Sequence, residues 1–203
     1  MNKRRIGLLQ VAAVTSLVLS AVAVPYAQAQ GKKDTAVIAM TLEPPGLDPT
    51  AGAASAIGEV VHYNVLETLT KIESDGSIRP LLAQSWTVTP DNKTWAFKLR
   101  QGVKFHNGEP FNAATVKFSF ERAGAPGSVN KDKAMFANIL NIASTDDHTV
   151  ILTLKNPNPD FLFQLGQTTA SIVEPKSVAS NNTQPAGTGP FRLEAWNKGS
   201  SVV

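Results

Sequence analysis

The chain has 203 residues, 42% of them hydrophobic and 17% charged, with a formal net charge of +3 and no cysteine. That composition is globular, and the missing cysteines exclude disulfides, cysteine-held metals and thiol catalysis. The basic excess sits in Lys3, Arg4 and Arg5, so the chain beyond residue 29 is formally neutral and nucleic-acid binding has no electrostatic support.

Behind those basic residues comes an apolar run from Val11 to Val24, then Pro25 and Ala27-Gln28-Ala29. Basic end, apolar core and A-x-A site are the order of a secretory signal peptide, which predicts residues 1–29 as the signal and cleavage after Ala29. The mature 174 residues are enough for one domain with a core. No later apolar run is long enough to span a bilayer, so no membrane insertion is expected after cleavage. The absence of a cysteine behind the signal also excludes a lipid-modified one.

Thr35 to Leu42 (TAVIAMTL) reads as a short buried strand. The proline-rich Glu43 to Pro49 reads as an extended turn, and a loop at the carboxyl end of a strand is a favoured ligand position in α/β sheets. Ser55 to Ile72 is predicted as one helix, because Ile57, Val60, Val61, Val65, Leu66 and Leu69 make a broad apolar face. Ser74 to Ser77 is a turn.

Trp86 and Val88, then Trp95, Phe97 and Leu99, alternate with polar or small residues around Pro90-Asp91-Asn92-Lys93. This predicts an antiparallel hairpin whose aromatics are core rather than a stacking platform. Asn107-Gly108 is a turn signal, and Asn112 is placed to cap a helix carrying Ala113, Val116, Phe120 and Ala123 on one face. After a loop from Gly124 to Val129, Lys131 to Leu140 is a short helix or irregular segment.

Asn141 to Leu154 is a second hairpin turning at Thr145 to His148, with Val150, Leu152 and Leu154 on one face. Asp160 is read as the cap of a helix reaching Leu165. Ser171 to Val173 is extended, Pro175 to Ala179 one helical turn, and Gly187-Thr188-Gly189-Pro190 a tight loop. Phe191 to Trp196 alternates as a strand, and Lys198-Gly199-Ser200 turns into a returning strand at Ser201.

Motifs for chemistry are scarce. His62, His106 and His148 share no metal-ligand spacing and read as surface or satisfied loop residues. There is no G-x-S-x-G elbow, and the Gly187-Thr188-Gly189 loop lacks both the Lys-Ser/Thr pair and the following helix of a phosphate loop. Asp146-Asp147 reads as a solvated turn.

Several short motifs follow one another in order. They are Leu47-Asp48-Pro49, Glu67-Thr68-Leu69, Asp75-Gly76, Pro80, Leu82-Ala83-Gln84-Ser85-Trp86, Asp91, Trp95 and Phe97-Lys98-Leu99-Arg100. Then come Gly102-Val103-Lys104-Phe105-His106-Asn107-Gly108, Asn112-Ala113-Ala114-Thr115-Val116, Thr149-Val150 and Gly187-Thr188-Gly189-Pro190-Phe191. Together they resemble the family 5 extracellular solute-binding proteins of ABC importers, the receptor group for peptides, dipeptides and nickel. Thr115 departs from the Asp usual in that family, which implies a helix start weaker by roughly 0.3–1 kcal/mol.

The resemblance implies an α/β fold: a mixed-sheet periplasmic-binding-protein type II lobe with an inserted hairpin-rich small domain. Because family members are much longer, it also implies an incomplete protein whose second lobe is missing. Residues 31–55 and 167–203 would be first-lobe segments, and 56–166 the small domain. Ligand-binding candidates are Leu42, Glu43, Pro44, Thr169, Ala170 and Ser171, with no catalytic residue, metal or cofactor. The implied partners are a peptide or other small solute and the membrane subunits of an ABC transporter, with the receptor a periplasmic monomer. A single lobe is expected not to bind tightly. A secreted hydrolase and a partner-capturing remnant with an exposed sheet edge are the competing readings; peptide, nickel complex, opine and sugar are not told apart.

Overall fold

The structure is a computed structural model that describes residues 35–203; the predicted signal peptide and its cleavage site lie outside the described residues. Residues 40–203 group as one unit. No described helix is long and apolar enough to cross a membrane.

The centre of the unit is a four-stranded antiparallel sheet. Its strands are β3 (Ala83–Val88), β4 (Thr94–Leu99), β5 (Ile139–Asp146) and β6 (Thr149–Leu154), in the order β3-β4-β6-β5. Trp95 stands opposite Leu152 and Phe97 opposite Val150, so the buried positions of the central strands share one face. The intervening Ala96–Ile151 and Thr94–Thr153 pairs lie on the other. Trp95 and Phe97 are 4% and 0% exposed, as the core reading expects. The Trp95 ring also meets Phe161 at 5.8 Å.

Helix α2 (Ala113–Gly124) joins its predicted face, Ala113, Val116, Phe120 and Ala123, to the same core. Asn112 caps it, as read from the sequence. Its side chain accepts the Thr115 N–H, and the Thr115 hydroxyl accepts the Asn112 N–H in return, both at 3.2 Å. The expected weakness at Thr115 is thereby corrected in part. Its hydroxyl completes a reciprocal cap without a carboxylate.

Both predicted hairpins form, and the Asn107-Gly108 turn closes with the Gly108 N–H on the Phe105 carbonyl. Helix α3 (Lys133–Ala137) lies within the segment left open between helix and loop, and α4 (Phe161–Gln164) is the predicted short helix. Asp160 does not cap α4 with its side chain. It is instead held by its own N–H on the Asn158 Oδ1.

Three predicted elements differ. The helix α1 spans only Ser55–Val61, and the rest of the apolar face continues in loop and in β1 (Thr70–Ile72), which pairs with β2 (Ile78–Pro80). Tyr63 takes a φ of 61°, turning the chain out of the helix, and bulky or β-branched residues follow that favour extended backbone. Residues 35–42 form no strand, and Val37, Ile38 and Leu42 are exposed. A short apolar run gives propensity but supplies no neighbour to bond.

Phe191 to Trp196 is likewise not a full strand. The Gly189 and Phe191 N–H groups bond the Val65 and Asn64 carbonyls of a loop, leaving only β7 (Trp196–Asn197) to pair with β8 (Ser201–Val202). A second, smaller core collects Leu47, Ile57, Val61, Val65, Leu66 and Leu193, with Trp196 and Val202 against it.

Candidate functional site

The post-strand loop expected to face a ligand is partly exposed. Leu42 is 60% exposed, Glu43 is exposed and Pro44 is buried. The Glu43 carboxylate accepts the Gly199 N–H at 2.7 Å, which ties the loop to the tip of the β7–β8 hairpin.

The other three candidates occupy a different setting. Thr169 and Ala170 lie in a 3-10 turn, Thr168–Ala170, and Ser171 follows it; all three are buried. Thr169 donates its hydroxyl to Asp132 and accepts the Asn130 side-chain N–H at its carbonyl. Ser171 donates to the Thr168 carbonyl at 2.7 Å. Their polar atoms are therefore engaged within this chain, and the two candidate groups are anchored by different elements.

Between the loop and α2 lies a polar network that sequence reading did not anticipate. Asp48 is 2% exposed, and its Oδ1 accepts the Thr50 N–H at 2.9 Å. Arg122, near the end of α2, donates from Nη2 to Asp48 Oδ2 at 3.3 Å and from Nη1 to the Thr50 hydroxyl. The Thr50 hydroxyl donates in turn to Asp48 Oδ1. A charge this buried is tolerated because a cation and two local donors meet it.

Beside the network is a cleft of about 260 Å³, lined by Thr50, Ala51, Arg122, Ala125 and Gly127 to Val129. A second cavity of about 310 Å³ opens between α2, α3 and β5, with Lys117 and Glu121 paired at 3.8 Å on its lining.

His106 clamps the Gly187–Pro190 loop. Its backbone N–H bonds the Gly187 carbonyl at 2.8 Å, its Nδ1 accepts the Gly187 N–H at 3.3 Å, and its Nε2 stands 2.9 Å from the Gly189 carbonyl. With Nδ1 taking the Gly187 N–H, the tautomer that fits these partners donates from Nε2 to the Gly189 carbonyl. The same loop donates the Thr188 hydroxyl to Glu67 at 2.7 Å. Burial raises the Glu67 pKa, while the Thr188 bond and the nearby Arg100 pull it back.

Glu174, also buried, is met by the N–H groups of Lys176 and Ser177 and by the Asn107 side chain. These contacts join the strand-to-turn segment around residue 106 to the C-terminal segments. The bland reading of His106 as a satisfied loop histidine is thus what the geometry shows.

His62 stacks on Tyr63 at 3.7 Å and pairs through Nδ1 with the Thr168 hydroxyl at 2.9 Å. Its Nε2 has no hydrogen-bond partner among the described residues. Burial lowers its pKa from 6.5 to about 4, against a smaller opposing pull from the Gly166 carbonyl. His148 lies in the β5–β6 turn, where Asp146 accepts its N–H at 2.7 Å. Among the described residues no three His, Asp or Glu side chains converge on a metal position.

The family model of the bacterial extracellular solute-binding proteins, family 5 (Middle), matches residues 77–203. The probable D,D-dipeptide-binding periplasmic protein DdpA of Escherichia coli K12 is 35% identical over 193 residues, covering 88% of this chain and 37% of that protein. The glutathione-binding protein GsiB of Shigella dysenteriae is 31% identical over 198 residues, covering 96% of this chain and 37% of that protein. Among solved structures, the periplasmic binding protein AgaA of A. tumefaciens R10, in complex with agropinic acid, superposes with a TM-score of 0.74 at 33% identity. That match covers 79% of this chain and 33% of AgaA. The chain spans about a third of the length of the relatives it matches.

Proposed function

Because this chain belongs to the family 5 bacterial extracellular solute-binding proteins, we propose that it captures a peptide-like or related small solute in the periplasm. It hands that solute to the membrane subunits of an ABC importer. Similarity along nearly the whole chain to periplasmic binding proteins is the observation that carries this reading. D,D-dipeptides, glutathione and agropinic acid are all small carboxylic acids, so the solute class proposed is an amino-acid-derived acid. The receptor works as a monomer, delivered by the predicted signal peptide.

The loop at Leu42, Glu43 and Pro44 and the turn at Thr169, Ala170 and Ser171 are proposed as ligand-facing backbone. Side chains already engaged, such as that of Thr169, would shape the wall, and the ligand's own bonds would go to exposed groups such as Glu43. Residues 31–55 and 167–203 are proposed as first-lobe segments and 56–166 as the small domain. The core joining Leu47 to Leu193 supports grouping the two outer segments, and α1 packs with them.

Affinity in such a receptor comes from burying the solute between two walls. Residues 30–203 taken by themselves, which match about a third of the relatives' length, are therefore proposed to bind weakly. Calorimetry of the mature chain against dipeptides, glutathione and opines tests the reading. Weak, saturable heats with the solute recovered intact are expected. Micromolar affinity would overturn the one-wall argument, and cleavage of the solute seen by mass spectrometry would overturn the receptor reading.

A further inference from the structure

We propose that the cleft beside Arg122 is the subsite for the carboxylate of the solute, an inference that rests on the receptor reading above. Its volume of about 260 Å³ falls below that of a whole small-molecule site and suits one end group of a ligand. Of the residues lining it, Arg122 alone carries a charge, and no carboxylate borders it.

Asp48, which pairs with Arg122, is buried and is not part of the lining, so the negative partner lies on the inner side of the guanidinium. Arg122 is part-exposed, and only one N–H of each of Nη1 and Nη2 is engaged, on Thr50 and Asp48. The remaining donors of its planar fork have no acceptor among the described residues. That fork matches the two oxygens of a carboxylate.

The backbone adds to this. Among the described residues the N–H groups of Gly127 and Val129, both on the lining, make no backbone or side-chain hydrogen bond. Ala51, Gly127 and Val129 are exposed, which leaves the cleft open to a ligand. Donors held in place by Asp48 and Thr50, with no carboxylate on the lining itself, select an anion over an amine.

The test is an NMR titration of the mature chain with N-acetyl-Ala-Ala as free acid and as its C-terminal amide. The acid is expected to shift the Arg122 Nε–H resonance and the Gly127, Ser128 and Val129 amides saturably, and the amide to leave them in place. Ala51→Asp, at an exposed position, should weaken the acid's apparent affinity about tenfold and Ala51→Lys should tighten it, since one added charge faces the anion.

Equal shifts by acid and amide would overturn the carboxylate assignment while leaving the receptor reading intact. Acid-induced shifts confined to residues 42–44 and 169–171 would overturn the cleft as subsite and again spare the reading. No shift by either probe, with the thermal melt showing a folded chain, would overturn both.

Discussion

The Nε2 of His106 stands 2.9 Å from the carbonyl oxygen of Gly189, across 83 positions of sequence, while Nδ1 of the same ring takes the Gly187 N–H. One imidazole thus spans a whole glycine loop. Replacing it in His106→Ala leaves that N–H and that carbonyl without their partner. With net hydrogen bonds of about 1 kcal/mol each, the loss expected is about 1–3 kcal/mol. Urea denaturation with an unchanged m-value checks it, and a loss under a few tenths would show that solvent replaces the clamp.

Gly187 and Gly189 tolerate no side chain. A Cβ on Gly187 would meet the Val65 carbonyl oxygen at 1.7 Å, and one on Gly189 the Asn64 carbonyl oxygen at 2.3 Å. Backbone atoms cannot swing aside as a flexible side chain can. Gly187→Ala and Gly189→Ala are expected to cost several times as much as Gly127→Ala, whose added methyl meets nothing within 4 Å. Expression followed by thermal melting ranks the three.

Breaking the pair between buried Asp48 and half-buried Arg122 should be costlier than deleting it. Arg122→Ala leaves the Asp48 carboxylate with only its Thr50 donors, and about 2–3 kcal/mol of stability is expected to go, less than for a fully buried pair. Adding Asp48→Ala removes the stranded charge and should recover part of that loss. A double-mutant cycle by chemical denaturation measures the coupling, and strictly additive losses would refute it.

Stability should depend on pH through His62. Its folded pKa of about 4 lies below the unfolded 6.5, so the native state binds fewer protons between those values. The contribution is fully present above pH 6.5, declines as the pH falls toward 4, and is gone below it. Because the ring is only half-buried, the span is expected to be no more than about 2 kcal/mol. The raised pKa of Glu67 acts in the opposite sense, so the measurement is the difference between the native chain and His62→Gln, melted from pH 7 to pH 4. A flat difference would show that His62 does not titrate with folding.

The reciprocal cap of α2 should be separable from its packing. Thr115→Ala loses the side-chain acceptor of the Asn112 N–H and is expected to cost about 1 kcal/mol, whereas Thr115→Ser keeps the hydroxyl and most of the stability. Thermal melts of the two variants make the comparison.

What was legible in the residues was local. The Trp95–Phe97–Leu99 alternation, the Asn107-Gly108 turn and the Ala113–Val116–Phe120–Ala123 face each carry their period within a few positions. The helix read through to Ile72 failed because apolar spacing persists across Tyr63, where the backbone does not stay helical. The strands read at 35–42 and 191–196 failed because pairing needs a neighbour that local pattern does not name. The polar contacts, Asp48 with Arg122, Glu67 with Thr188 and Glu43 with Gly199, join residues 74, 121 and 156 positions apart. No periodicity encodes such distances. Of the six candidate ligand residues, Glu43 and Pro44 lie in the segment that the prolines mark as irregular, Leu42 ends a predicted strand that does not form, and no pattern shows that Thr169 is already engaged.

The strand order β3-β4-β6-β5 has a consequence for how the chain reaches its fold. Each outer strand belongs to a hairpin with a short turn, and such hairpins close in microseconds. The central seam is different. Trp95 must find Leu152 across 57 positions that include α2 and α3, and closing that span costs about 2 kcal/mol more in chain entropy than closing either hairpin. Pairing of the two hairpins is then the step expected to limit the folding rate, since non-local pairing of this kind slows folding.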